Sequence, residues 1–208
     1  MTNIDTSIPG VILAGGLAKR MGGGDKCLLP LGGKTLLQRC VDRAQSQTQP
    51  LLLNANGSSL RFARTRLPVV ADLIGSFPGP LAGIHAALVY MSKQQPESEW
   101  LASFACDTPF FPLDLVSRLK EAVQGQDAQI VVARCGDRVH PIFGLWHVSV
   151  APRIEQLLSQ GKSPRIQDWI TTQKTLYVDF SNADYDPFFN INTPQDLYAA
   201  EAQLPLVK

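Results

Sequence analysis

The 208-residue chain is short of net charge, of histidine and of long apolar runs, and each shortage removes a class of function. Nineteen basic residues against eighteen acidic ones leave a formal charge of +1, so no electrostatic footprint for nucleic acid or an acidic membrane surface is expected. No stretch approaches the ~18 consecutive apolar residues of a membrane span. The first ten residues carry neither the basic nor the apolar region of a secretion signal. A cytoplasmic protein without a membrane partner is the expectation. Cys27, Cys40, Cys106 and Cys135 are far apart and form no C-x-x-C pair, which argues against zinc fingers, redox dithiols and a dense disulfide framework. His85, His140 and His147 lack the spacing of a metal triad, and no serine or cysteine stands in a recognisable nucleophile setting.

Two familiar phosphate motifs are missing as well. The G-x-G-x-x-G fingerprint fails because Gly15 is followed by Gly16 and Leu17, and the next glycine is Gly22. A P-loop would end at Gly33-Lys34-Thr35, but Leu28 stands at its first glycine and Pro30 inside the loop. The plainer reading of Gly32 to Thr35 is a turn, with Thr35 capping a helix patterned by Leu36, Leu37, Cys40, Val41 and Ala44.

What is present is a different phosphate cradle. The apolar run Val11-Ile12-Leu13 empties into Leu13 to Lys26, where five glycines and the cations Lys19, Arg20 and Lys26 fall within fourteen residues. Glycines let backbone N–H groups approach phosphate oxygens, and the cations supply full positive charge. An ordinary glycine turn with solvated basic residues would not need this density, and a polyphosphate is the natural guest.

Beyond the loop, strand and helix signals alternate. Helix is predicted near 35–47, 81–93 and from about 112, with a weak helix over 59–66; strands are predicted over 50–54, 68–72 and 100–105. Strands over 128–134 and 139–147 form a hairpin turned at Gly136-Asp137. Helices over 150–158 and 166–172, a strand over 175–179 and a terminal helix capped by Thr193 with Pro194 at its first position complete the chain. This alternation predicts an α/β fold of three layers, Rossmann-like, with a mostly parallel sheet and helices on both faces. No repeat or low-complexity linker interrupts it, so residues 1–208 are expected to form one domain.

In such a sheet the ligand lies beyond the carboxyl ends of the strands. The glycine loop, Asn54, Asp72 and Asp107 close four of the predicted strands and therefore converge on one edge. Singly, Asn54 reads equally as part of a tight Asn54-Ala55-Asn56-Gly57 turn, and Asp72 as a cap. Asp107, leaving the apolar strand Phe104-Ala105, needs a cation or several donors. Magnesium suits it, because that ion takes few carboxylates plus substrate phosphates and water; capping the following helix is the alternative. The loop Gly75 to Ile84 is too rich in glycine and proline for regular structure and runs into a helix N-terminus, a second potential anion site or a rigid connector. His140 sits beside Arg138 and is open to substrate contact, whereas His85 and His147 fall on structural patterns.

The glycine loop ending Asp25-Lys26, with Asn54-Ala55-Asn56, Gly79-Pro80-Leu81-Ala82-Gly83, Cys106-Asp107-Thr108-Pro109, His140-Pro141 and Asn190-Ile191-Asn192-Thr193-Pro194, resembles the molybdenum cofactor guanylyltransferases from about Val11 to Leu197. The loop alone resembles only the wider nucleotidyltransferase superfamily. The resemblance implies an enzyme that transfers GMP from GTP to the terminal phosphate of molybdenum-bound molybdopterin and releases pyrophosphate with Mg2+. It implies GTP binding by Leu13, Ala14, Gly15, Gly22, Lys26, Asn54, Asp72 and Asp107, with Asp107 also the metal ligand. Lys26, Arg20 and Asp107 become the catalytic groups, and His140, Arg165, Asn190 and Asn192 the acceptor side. The chain departs from the family at Leu17-Ala18, at Gly161-Lys162-Ser163-Pro164-Arg165, where one arginine stands for a pair, and at Ile142 after His140-Pro141.

The residues fit that chemistry. A phosphate acceptor is already an anionic nucleophile, so attack on an α-phosphorus needs positioning and charge neutralisation more than a protein base. The rival readings are a cytidylyltransferase acting on molybdopterin, a sugar-phosphate guanylyltransferase, and a non-catalytic carrier that hands the cofactor on. Delivery to molybdenum-cofactor carrier proteins or apo-molybdoenzymes is compatible with catalysis.

Overall fold

The structure, a computed structural model, describes residues 8–15, 24–74 and 79–207. Arg20 and Gly22, with most of the glycine loop, lie outside the described residues. In chain order the strands are β1 (Gly10–Leu13), the short pair β2 (Pro30–Leu31) and β3 (Lys34–Thr35), then β4 (Leu51–Asn54), β5 (Val69–Val70), β6 (Trp100–Ala105), β7 (Ile130–Cys135), β8 (Arg138–His147) and β9 (Thr175–Phe180). The helices are α1 (Leu36–Gln45), α2 (Pro80–Gln94), α3 (Leu115–Val123), α4 (Ala151–Ser159), α5 (Ile166–Ile170) and α6 (Pro194–Gln203).

Seven strands form one sheet in the order β5-β4-β1-β6-β8-β7-β9. Strands β5, β4, β1 and β6 are mutually parallel, β7 is parallel to β9, and β8 runs antiparallel to both its neighbours. Among the seven strands of this sheet β8 opposes the common direction, because the Gly136-Asp137 turn sends it straight back along β7. Gly136 has φ +56°, a left-handed conformation that glycine adopts without a Cβ penalty.

Period-two alternation along the strands builds the two faces. Ile12, Leu51, Leu53, Ala102, Phe104, Val131 and Leu145 pack under α1 and α3, with Leu37, Val41, Leu115 and Leu119 opposite. Their neighbours Val11, Leu52, Leu101, Ile130, Val132 and Trp146 point the other way, against Ile84 and Leu88 of α2, Ile154 of α4 and Ile170 of α5. Each fully buried leucine or isoleucine contributes roughly 1.5–3 kcal/mol, so both faces are required and helices cover both. A satellite cluster of Leu31, Leu36, Phe110, Ile191 and Ala200 fastens α6 beside the β2–β3 hairpin.

The predicted helix caps are in place. Thr35 Oγ1 accepts from Gln38 N at 3.1 Å, and Thr193 with Asp196 closes a reciprocal capping box on α6. Four details differ from the sequence reading. The Gly32-Gly33 turn lies inside the β2–β3 hairpin, and residues 166–172 are helical only to Ile170. Residues Ser59–Thr65 form a 3-10 helix rather than an α-helix, ended by Arg66 in the left-handed region at φ 57°. The β7–β8 ladder slips between Val132, opposite Gly144, and Ala133, opposite His140, so Pro141, Ile142 and Phe143 bulge out of register. Pro141 has no N–H to give the ladder, which suits it to that position.

Candidate active site

The carboxyl ends of the parallel strands carry the predicted convergence. Leu13 closes β1, Asn54 closes β4, and Asp72 and Asp107 follow two residues after β5 and β6. Leu13, Gly15, Lys26, Asn54 and Asp107 line a single cleft of about 320 Å³, with Asn56, Gly79, Pro80 and Ile142 completing its wall. Gly79 and Pro80 begin α2, so the positive end of a 15-residue helix faces the cleft. A Cβ on Gly15 would meet nothing within 4 Å among the described residues. Ala14 lies beneath, its N–H donating to Asn54 O at 2.9 Å.

Lys26 is the hub of one side of the cleft. Its ammonium, on a residue only 6% exposed, donates to Asp107 Oδ2 at 2.7 Å, to Asn192 Oδ1 at 2.6 Å and to Asn190 Oδ1 at 3.4 Å. A buried ammonium requires such oxygens. The main chain supports the junction, since Ile191 N donates to Asp107 O at 2.9 Å. Asp107 does not cap the next helix; Asp114 holds the N-cap position of α3, without a side-chain cap, and the Asp107 carboxylate serves Lys26 and the Thr108 hydroxyl.

Asn54 and Asp72 form the opposite rim. Asn54 Nδ2 donates to Asp72 Oδ1 at 2.9 Å and to Val70 O at 3.1 Å. Asn56, which the sequence placed in a turn, grips Asp72 twice: its Nδ2 donates to Asp72 Oδ2 at 2.7 Å, and its Oδ1 accepts from Asp72 N at 2.9 Å. Alternation from Asn54 to Asn56 is the signal for that role, because residues two apart share a face. Arg61, bound to Asp25, also joins this rim, and no local pattern points to it.

His140 and Arg165 stand apart from the cleft lining. The His140 ring stacks on Phe188 at 4.4 Å, and burial, reinforced by Arg138, lowers its pKa to about 4. It is therefore a neutral imidazole at physiological pH. The bulge that follows brings Ile142, two residues on, to the cleft instead. Arg165 is exposed at the start of α5, in a loop whose Ser163 hydroxyl lies 3.3 Å from where a Gly79 Cβ would be. The basic loop thus flanks the cleft entrance formed by Gly79. His85 is buried on α2, and His147 Nδ1 accepts from Ser149 N, both structural placements.

The donor set suits a hard divalent cation. No group of three or more His, Cys, Asp and Glu side chains gathers to hold a metal among the described residues. A metal at Asp107 would therefore take its other ligands from phosphate, water and the amide oxygens nearby, which is magnesium's habit. The thiols do not compete: Cys106 is held protonated by its hydrogen bond with Cys27 and by burial, and Cys40 by burial. No helix among the described residues is long and apolar enough to cross a membrane.

The cleft lies at the carboxyl ends of the parallel strands, where folds of this kind take their ligands, and the comparisons give its class, a nucleotidyltransferase. The family model described as the MobA-like NTP transferase domain matches residues 10–175. A molybdenum cofactor guanylyltransferase of Nitrobacter hamburgensis is 45% identical over 192 residues, covering 92% of each chain. That of Rhodopseudomonas palustris is 43% identical over 193 residues, covering 93% of this chain and 92% of its own. The chain belongs to the molybdenum cofactor guanylyltransferase family. Among solved structures, molybdopterin-guanine dinucleotide biosynthesis protein A from Archaeoglobus fulgidus superposes with a TM-score of 0.75 at 24% identity, covering 95% of this chain and 99% of that one. A manganese complex of a Mycobacterium tuberculosis protein gives 0.66 at 20%, covering 94% and 98%. Both share the fold.

Proposed function

We propose that the cleft joins GMP from GTP to the terminal phosphate of molybdenum-bound molybdopterin, releasing pyrophosphate. The observation that carries this reading is the shared ammonium: Lys26 holds Asp107 together with Asn190 and Asn192, the residues that this reading gives to the triphosphate and to the acceptor. In the reaction an acceptor phosphate oxygen attacks the α-phosphorus, and the bond from that phosphorus to the α,β-bridging oxygen breaks. Lys26 and Arg20 neutralise charge on the leaving pyrophosphate. Leu13, Ala14, Gly15 and Gly22 cradle the nucleotide along the strand end and loop, with Asn54 and Asp72 on its other side. Asn190, Asn192, His140 as a neutral ring, and Arg165 serve the acceptor.

Asp107 is the residue that would hold Mg2+, with the Asn190 and Asn192 side-chain oxygens gathered near it, and the manganese complex of the M. tuberculosis neighbour in fold supports a divalent ion in such a protein. Once bound there, the ion would supply Lewis-acid neutralisation of phosphate oxygens. We further infer one domain, whose earlier part takes GTP and later part the pterin, working in the cytoplasm and passing its product to carrier proteins or apo-molybdoenzymes. Pyrophosphate release measured with GTP or CTP, with and without molybdopterin and Mg2+, tests the reading. Release that requires GTP, molybdopterin and the metal together is the expected result. Turnover with CTP alone, or cofactor binding without turnover, overturns it.

A further inference from the structure

Arg61, on the 3-10 helix Ser59–Thr65, aims its guanidinium at both sides of the cleft. Nη1 donates to the two Asp25 carboxylate oxygens at 2.8 and 3.1 Å, while Nη2 donates to the main-chain oxygen of Asn56. The Asp25 side chain is 13% exposed and that of Arg61 32%, so the pair is partly shielded from water. Asp25 immediately precedes Lys26 and its carbonyl accepts from Leu28 N at 3.1 Å, while Leu29 N donates to Lys26 O at 3.2 Å. That short turn sets the direction of Lys26. On the other side Asn56 holds Asp72, and Asp72 holds Asn54.

One unbroken set of hydrogen bonds thus runs from the turn carrying the phosphate-side lysine to the Asn54–Asp72 rim, and the guanidinium is the piece that spans the two. A planar fork engages a carboxylate and a carbonyl together, whereas a lysine at the same place would offer a single point charge. We propose that Arg61 is a positioning residue that couples the two halves of the nucleotide site, holding the Asp25-Lys26 turn at a set distance from the Asn54–Asp72 rim. Base and triphosphate are then received at one separation rather than by two independently moving edges. The identity of the nucleotide rests on the guanylyltransferase reading; the coupling does not.

Two measurements test it. Hydrogen exchange at the Leu28 and Leu29 amides of nucleotide-free protein reads the turn itself, and Arg61→Ala is expected to speed it at least about fivefold while the sheet amides keep their protection. The dissociation constant for GTP with Mg2+ reads the consequence. Arg61→Ala and Arg61→Lys are each expected to weaken GTP about tenfold, the loss of one charge-assisted link. Asp25→Ala should cost a similar factor, and the double Asp25→Ala/Arg61→Ala variant no more than the worse single one, because either change breaks the same link. Wild-type exchange in Arg61→Ala, recovery of GTP affinity in Arg61→Lys, or multiplicative losses in the double variant would each overturn the coupling. If the wild-type protein bound no GTP, the guanylyl reading would fall, and the exchange rates would still decide the role of Arg61.

Discussion

Lys26 Nζ stands 2.7 Å from Asp107 Oδ2 across 81 residues of sequence, with the ammonium side chain 8% exposed and the carboxylate 23%. Both residues line the cleft, and the carboxylate is the more open of the two. The lysine serves as counter-ion to the aspartate, and under the proposed function the same charge is the one offered to phosphate.

Removing either member is therefore expected to damage turnover more than folding. An ammonium about 4 Å from a phosphate charge gains roughly 4 kcal/mol at an effective dielectric of ~20, before desolvation and screening. Half of that suffices, since ~1.4 kcal/mol is a tenfold rate change. Lys26→Ala and Asp107→Ala should each lower the rate of pyrophosphate release at least about tenfold while circular dichroism stays native. Near-normal release by either purified variant removes that residue from the catalytic set.

The two asparagines are not equivalent. Asn192 Oδ1 accepts from the Lys26 ammonium at 2.6 Å, whereas Asn190 Oδ1 is at 3.4 Å, near the limit of a useful bond. Asn192→Ala is expected to reduce the rate by about tenfold and Asn190→Ala by less, given that a hydrogen bond to a charged group contributes roughly 1.5–3 kcal/mol. Equal losses would mean that both act on the acceptor directly and not through Lys26.

Much of this site was legible because it sits at strand ends. Leu13, Asn54, Asp72 and Asp107 each follow an apolar run, and the parallel-sheet rule sends all of them to one edge without knowledge of the fold. The Asn190 to Asn192 segment carried no such marker and came with the family resemblance; Ile191 is tied to Asp107 by a main-chain bond that no pattern encodes. Arg61 was invisible for the same reason: it meets Asp25 36 residues away from a 3-10 helix with no hydrophobic period. The bulge at Pro141 to Phe143 depends on the register of β8 against β7, which no local pattern encodes, so the sequence gives no sign that Ile142 reaches the cleft.

Gly83 gives a sharper steric prediction. A Cβ at this position of α2 would fall 2.2 Å from Asn54 Oδ1 and 2.9 Å from Leu13 Cδ2. Asn54 is itself buried and holds both Asp72 and the end of β5, so it has little room to retreat. Gly83→Ala is expected to destabilise the fold by about 1–3 kcal/mol through overpacking, despite alanine's better helix propensity, and to weaken GTP binding by at least about tenfold. Urea unfolding and nucleotide titration read the two effects. A more stable variant with unchanged GTP affinity would show that Asn54 can move without loss.

His140 sets a pH dependence whose sign is determined by its environment. Burial and the nearby Arg138 hold its pKa at about 4 in the folded chain, against 6.5 for an unperturbed imidazole, with Asp186 opposing the shift. Between those values the unfolded chain takes up a proton that the folded chain refuses, so stability falls as pH drops from 6.5 toward 4 and does not depend on this group above that window. His85, whose pKa is lowered by burial against the opposing charge of Glu155, acts in the same direction from α2. Replacing His140 with phenylalanine keeps a ring against Phe188 but removes the titration. The loss of stability between pH 7 and pH 4.5, measured by urea midpoints, is expected to be smaller in His140→Phe than in the parent. An equal or larger loss would mean that the His140 ring accepts its proton in the folded state, and the neutral-imidazole role at the acceptor side would then have to be given up.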